Sequence, residues 1–144
     1  MEITLKNLQK KIPIPKSKIL EATKKRSLIP FFRDLYCLSI VFVGTKRMRA
    51  VNKKYLKHDY VTDVLTFKLS ADQAEIIICP QVALSNAKAH KTSTEKEIIL
   101  YVIHGLLHLA GYDDHKSKDI LQMRRLENKL LNNSLQGEGI KRIS

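Results

Sequence analysis

Two histidines, His104 and His108, stand four apart in the run IILYVIHGLLHLAG, and a third, His115, follows Gly111-Tyr112-Asp113-Asp114. On a helix this spacing stacks two imidazoles on one face, one turn apart, as a helix presents two ligands to a single metal ion. Gly111 ends the helix and lets the chain turn back, so that His115 closes the third side of a tetrahedron and the fourth is left to water. Three protein ligands with one open position is the arrangement of catalytic zinc. A single buried histidine is ordinarily a hydrogen-bonded core residue. Here both imidazoles lie on a helix of Ile, Leu and Val, where both must be desolvated, and one shared ion satisfies them together. The expected site is therefore one metal ion per chain held by His104, His108 and His115.

One neighbour excludes the commonest helical metal chemistry. In H-E-x-x-H peptidases the residue after the first histidine is the general-base Glu, and here that residue is Gly105, which has no side chain. The glycine is expected instead to let another backbone, or a substrate, come close to the metal. His58 and His90 sit in basic, polar stretches and read as surface histidines.

The elements that must position these residues follow from periodicity. The chain has 144 residues, 44% of them apolar, enough for one domain over residues 1–144 that holds a core without a structural metal. No apolar run reaches the roughly 18 residues of a spanning helix, and the N-terminus carries no signal-peptide pattern, so a cytoplasmic protein without a membrane is expected. Cys37 and Cys79 lie in strand-like runs and read as reduced core residues. Ile3–Leu8 suggests an edge strand, and Ile19, Leu20, Thr23 and Leu28 a helix after Pro15. Leu38–Val43 reads as a central strand buried on both faces, with Thr45 capping a helix whose inner stripe is Met48, Val51 and Tyr55. Thr62–Phe67 and Glu75–Cys79 are further strands, and Pro80 opens a helix continued by Val82, Asn86 and Ala89. Thr94 and Glu97 form a capping box before the apolar histidine helix, and Ile120, Met123, Leu126 and Leu130 line a last helix from Ser117. The sum is an α+β domain, a mixed sheet of about four strands with helices packed on it.

A formal charge of +12, from 26 Lys and Arg against 14 Asp and Glu, attracts polyanions, and nucleic acid is the expected partner. Six of the cations and no acid fall between Thr45 and His58. Lys46, Arg49 and Lys53 share one helical face that either grips phosphates or is merely solvated.

At these residues the chain resembles a known family. His104-Gly-Leu-Leu-His108-Leu-Ala-Gly111-Tyr112-Asp113 is similar to the signature H-G-x-L-H-L-x-G-Y-D-H of the YbeY family of bacterial endoribonucleases. Asn52-Lys-Lys-Tyr55-Leu-Lys-His-Asp59 with Thr62-Asp-Val-Leu65-Thr-Phe67 resembles the family's N-x-x-Y-R-x-x-D and T-D-V-L-S-F blocks, and Ala74-Glu-Ile-Ile-Ile-Cys79 its G-D-I-V-I-C strand. The resemblance implies a zincin-like domain and a zinc-type metal held by three histidines. It implies single-strand-specific RNA cleavage in ribosomal RNA maturation and ribosome quality control, with single-stranded RNA, ribosomal RNA and the small ribosomal subunit as partners.

The chain departs from the family pattern at three positions. Asp114 stands where the family's third histidine would be, so either the loop bulges and His115 binds, or Asp114 ligates through oxygen; His115 is preferred because it completes a neutral set of three nitrogens. The family's Arg after the Tyr is Leu56. Lys57 and Lys54 can replace its charge there, Lys57 as the catalytic cation, though neither offers a bidentate fork. Gly-Asp before the last strand is Ala74-Glu75. Lys46, Arg49, Lys53 and Lys54 are the expected RNA contacts, with Tyr55 or Tyr60 available to stack a base, although Tyr55 is expected in the core. Asp113 and Asp114 are candidates to orient a ligand imidazole. The rival reading is a noncatalytic ribosome-assembly factor with a structural metal. If His115 is the ligand, His115→Ala weakens zinc affinity far more than Asp114→Ala in a competitive chelator titration, and the reverse ranking assigns the position to the aspartate.

Overall fold

The computed structural model describes residues 2–25, 30–112 and 117–135. In chain order its elements are β1 (Glu2–Asn7), α1 (Lys16–Lys24), a short 3-10 turn (Pro30–Arg33), β2 (Cys37–Phe42), α2 (Thr45–Leu56), β3 (Val64–Lys68), β4 (Gln73–Ile78), α3 (Pro80–His90), α4 (Thr94–Leu109) and α5 (Ser117–Leu135). The α+β class expected from the sequence is the one observed. The sheet order is β1-β2-β4-β3, with β1, β2 and β4 parallel and β3 antiparallel on an edge. β2 is central as its apolar composition requires: Ile40 pairs with Leu5 on one side and Ile76 on the other.

Alternation along the strands divides the core into two layers. Leu38, Ile40, Phe42, Ile76 and Ile78 face the first layer, where they meet α4 through Ile99, Ile103 and Leu106, together with Ile19 of α1 and Met123 and Leu130 of α5. Val41, Leu65 and Ile77 face the second layer, where Met48 of α2 seals them. The histidine helix and the basic helix thus cover opposite faces of the sheet.

Several local expectations shift by a residue, each for a physical reason. Gly44, not Thr45, is the N-cap of α2, and no side chain caps that end. The cap of α4 is Ser93, whose Oγ accepts the Lys96 amide at 3.1 Å, so the Thr94–Glu97 capping box does not form. Glu97 instead lies buried in the first turn, with Oε1 3.8 Å from Nδ1 of His90, which is itself exposed as expected. The strand expected from Thr62 begins at Val64, because the Asp63 carboxylate turns back to accept the Val64 amide at 2.7 Å. Tyr55 is not in the core: the buried residues of α2 are Met48 and Asn52, and Tyr55 is 58% exposed in the last turn.

Gly105 also has a different purpose from the one its place beside His104 suggested. A Cβ built there stands 3.0 Å from Cγ2 and 3.1 Å from Cδ1 of Ile76, so the glycine lets α4 settle directly onto β4. Ile76 is fully buried mid-strand and its β-branched side chain cannot swing aside. Gly105→Ala gains about 1 kcal/mol of helix propensity but overpacks the core by about 1–3 kcal/mol. The expected outcome is a net loss of about 1 kcal/mol in urea unfolding, and the loss should shrink in an Ile76→Ala background as a double-mutant coupling.

Candidate metal centre and basic face

α4 is apolar around nearly its whole circumference, and its histidines emerge where it leaves the core. His104 and His108 meet edge to face, with ring centroids 4.4 Å apart and planes at 73°. Their Nε2 atoms converge to 2.9 Å. On the far side of His104, Nδ1 donates to Oε1 of Glu127 from α5. The Glu127 side chain is only 13% exposed. Its carboxylate holds a proton on Nδ1 and leaves the Nε2 lone pair facing His108, the arrangement by which an acceptor behind a histidine fixes its tautomer toward a metal.

These two nitrogens suit a zinc-type ion in chemistry and in aim. Ligands about 2.0–2.1 Å from a tetrahedral ion stand roughly 3.3 Å apart, so the rings need part by only a few tenths of an ångström. Among the described residues no three His, Cys, Asp or Glu side chains are grouped to hold an ion. His115, its rival Asp114, and Asp113 lie outside the described residues. Glu127 is the residue that sequence reasoning missed, having sought the orienting acid in the Asp113-Asp114 pair. Its signal was present: an acid four residues after Met123 and three before Leu130, on the inward side of an amphipathic helix.

The expected RNA contacts collect elsewhere. Lys46, Arg49, Lys53, Lys54 and Lys57 are all exposed along α2 and its C-terminal cap. Asp59, just past the basic stretch, folds back onto it: Arg49 Nε donates to Oδ1 at 2.7 Å, and Lys53 Nζ lies 3.9 Å from Oδ2. The hydrogen bond from Arg49 holds the Asp59 carboxyl below the usual range, and the pairing raises the guanidinium in turn. Lys54 Nζ lies 5.2 Å from the centroid of the Tyr55 ring. Lys57 adopts the left-handed conformation, φ 63°, with its amide donating to Lys53 O at 3.2 Å. Leu56 is 44% exposed, so this position is not committed to the core.

The helix that carries Lys46, Arg49 and Lys53 and the helix that carries the histidines pack on opposite faces of the sheet. The edge strand β3 contributes to both layers. Its Phe67 packs on the α2 side, while Val64 joins the layer beneath α4.

Residues 4–135 match the family model described as Endoribonuclease YbeY. The chain is similar to the Endoribonuclease YbeY of Thermotoga petrophila, 36% identical over 116 residues that cover 76% of this chain and 73% of that protein. It is 31% identical over 150 residues to the Endoribonuclease YbeY of Thermodesulfovibrio yellowstonii, covering 88% of this chain and 93% of that one. Among solved structures it resembles the solution structure of TM1509 from Thermotoga maritima, with a TM-score of 0.60 and 28% identity over 97% of this chain and 99% of that one.

The contact behind His104 makes a prediction. Glu127→Gln keeps the shape of the side chain and removes its charge, and it should weaken zinc affinity about 10- to 100-fold in a chelator competition, with helix content unchanged. An unchanged affinity would show that the carboxylate does not serve the imidazole.

Proposed function

The chain belongs to the YbeY endoribonuclease family, and we propose that residues 1–144 form a single zincin-like domain that is a zinc-dependent endoribonuclease cutting single-stranded RNA. Its proposed setting is ribosomal RNA maturation and ribosome quality control, in contact with the small ribosomal subunit. The observation that carries this reading is the convergence of the two Nε2 atoms to hydrogen-bond distance, with Glu127 behind one of them, at the edge of an apolar core.

In this reading His104 and His108 hold the ion with His115 as third ligand, and Asp114 is the alternative. A bound Zn2+ supplies Lewis acidity toward a phosphoryl oxygen, or toward a water whose pKa it lowers to about 7. Glu127 keeps the proton on His104 Nδ1 so that Nε2 presents its lone pair for ligation. Lys46, Arg49, Lys53 and Lys54 bind the RNA backbone as sequence-independent cations. Lys57 provides a point charge near the position of the family's Arg and steadies the scissile phosphate without the fork. The cytoplasm fits an RNA substrate and the two thiols, Cys37 and Cys79, which form no disulfide. Burial pushes the Cys79 thiol up and keeps it protonated. Among the described residues no helix is long and apolar enough to cross a membrane.

Asp59 modifies the expectation for the basic face. A phosphate reaching Arg49 displaces a half-exposed carboxylate, a modest cost because such surface pairs are weak. Because its pKa is depressed, Asp59 keeps its charge and the pair to a lower pH than an unpaired aspartate would. Charge reversal at Lys46 should lower the slope of log affinity against log salt by about 0.7 for a single strand. Reversal at Arg49 or Lys53 should lower it by less, and Asp59→Asn should steepen it. Equal effects at all three cations would mean that the Asp59 pair does not persist in solution.

One observation favours the second reading, a noncatalytic assembly factor: the exposed Leu56 where the family has Arg. Cleavage of single-stranded and duplex RNA by the zinc-loaded protein decides between them, with the strand-specific activity lost in His104→Ala. Intact RNA after incubation with fully metal-loaded protein overturns the nuclease reading. If the missing cation limits the rate, Leu56→Arg raises cleavage at saturating RNA, by up to the hundred- to thousandfold that one such preorganised donor contributes. Lys57→Ala lowers it, and alanine at φ 63° leaves the backbone strain as it was. A stable Leu56→Arg protein no faster than its parent refutes the assignment.

A further inference from the structure

The loop from Lys57 to Tyr60 is tied down at every residue. Lys57 closes α2 in the left-handed conformation, and the His58 amide donates to Asn52 O at 3.3 Å. Asp59 is held by Arg49, and the Tyr60 carbonyl accepts from Nδ2 of Asn52 at 3.0 Å. Asn52 is itself 1% exposed, so the anchor is part of the folded interior.

What this anchoring presents to solvent is aromatic. The Tyr60 and His58 rings stack nearly parallel, 12° apart in plane with centroids at 5.2 Å, and the hydroxyl and Nδ1 share a hydrogen bond of 3.1 Å. Tyr60 nevertheless remains 54% exposed. Close by in sequence, Tyr55 leans edge-on against Phe67 of β3 with ring centroids 5.5 Å apart, and it too is more than half exposed. A phenol left open to water forfeits the gain of burying it, yet here one is stacked and hydrogen-bonded in place before any ligand arrives. A side chain fixed in advance gives up little rotamer freedom on binding.

The same segment carries Lys53, Lys54 and Lys57. Cations interleaved with exposed, pre-oriented aromatic rings match a ligand that has phosphates and flat π-faces together, which an acidic peptide lacks. In a duplex those faces are already stacked on one another, so the ligand is a single strand. We propose that Tyr60 on His58, with Tyr55 as a second step, is a nucleobase-stacking platform for single-stranded RNA, on the sheet face opposite the histidines. The platform rests on the proposed RNA-cleaving function and adds to it a route. The strand lays its bases on the α2 side and crosses the edge strand β3, carrying a phosphate round to the histidine pair.

The test is binding of a short oligouridylate and of its abasic counterpart with the same number of phosphates, followed by anisotropy of a labelled strand on the full chain. Tyrosine emission provides a second signal, since the chain has no tryptophan and five tyrosines. The parent should bind the abasic strand about tenfold more weakly or worse. Tyr60→Leu should lose a similar factor on oligouridylate and almost nothing on the abasic strand, with an unchanged salt slope because no phosphate contact is lost. Tyr60→Phe should retain most of the affinity, and Tyr55→Leu should give a second, smaller loss. Equal affinity for the two strands, or an equal loss on both in Tyr60→Leu, overturns the platform. Base-dependent binding without cleavage overturns only the nuclease function, cleavage with base-independent binding overturns only the platform, and absence of RNA binding overturns both.

Discussion

Two imidazoles at the end of an apolar helix have to be satisfied together, and the rest of the site is arranged around that requirement. Each ring has a donor and an acceptor position when neutral, and on α4 the two rings turn one nitrogen each toward the other. The structure supplies one carboxylate, Glu127, from α5, which fixes the proton on the outer nitrogen of His104. The inner nitrogens then face each other at a separation where only a shared proton or a shared cation relieves two lone pairs. Removing Glu127 would disturb the pair even with both histidines in place.

The position of that pair depends on how closely α4 sits on the sheet. Gly105, between the histidines, removes the one side chain that would hold the helix away from Ile76. On the opposite face the sheet is sealed by α2, whose own sequence is too charged to be a core helix and which contributes mainly Met48 and Asn52. A helix with so narrow a buried face leaves the rest of its circumference for cations and rings. The two faces therefore have different characters: one dry and aimed, the other wet and basic.

Much of this was legible in the residues. Four strands, the buried histidine helix, its end at Gly111 and the inner residues of α5 follow from periodicity and from glycine chemistry, because each is decided within a few residues. Caps were less legible, since Ser93 and Thr94, or Gly44 and Thr45, compete as neighbours, and the winner depends on which backbone the preceding turn delivers. Tyr55 was misplaced because helical periodicity assigned it to the buried stripe, whereas the layer beneath α2 is thin at its last turn. Glu127 and Asp59 are of a third kind. Their partners lie 23 and 10 positions away, and no local pattern announces a contact made only when separate elements dock.

The separation between His104 and Glu127 also bears on the order of events during synthesis. A chain emerging from the ribosome presents β1 to α4 before α5, so the sheet and the histidine helix can collapse while the carboxylate is still being made. During that interval His104 lacks the Glu127 contact, and its tautomer is not yet set by that carboxylate. The tautomer is selected only when the last helix docks, which makes completion of the centre a late step in the chain's own biogenesis.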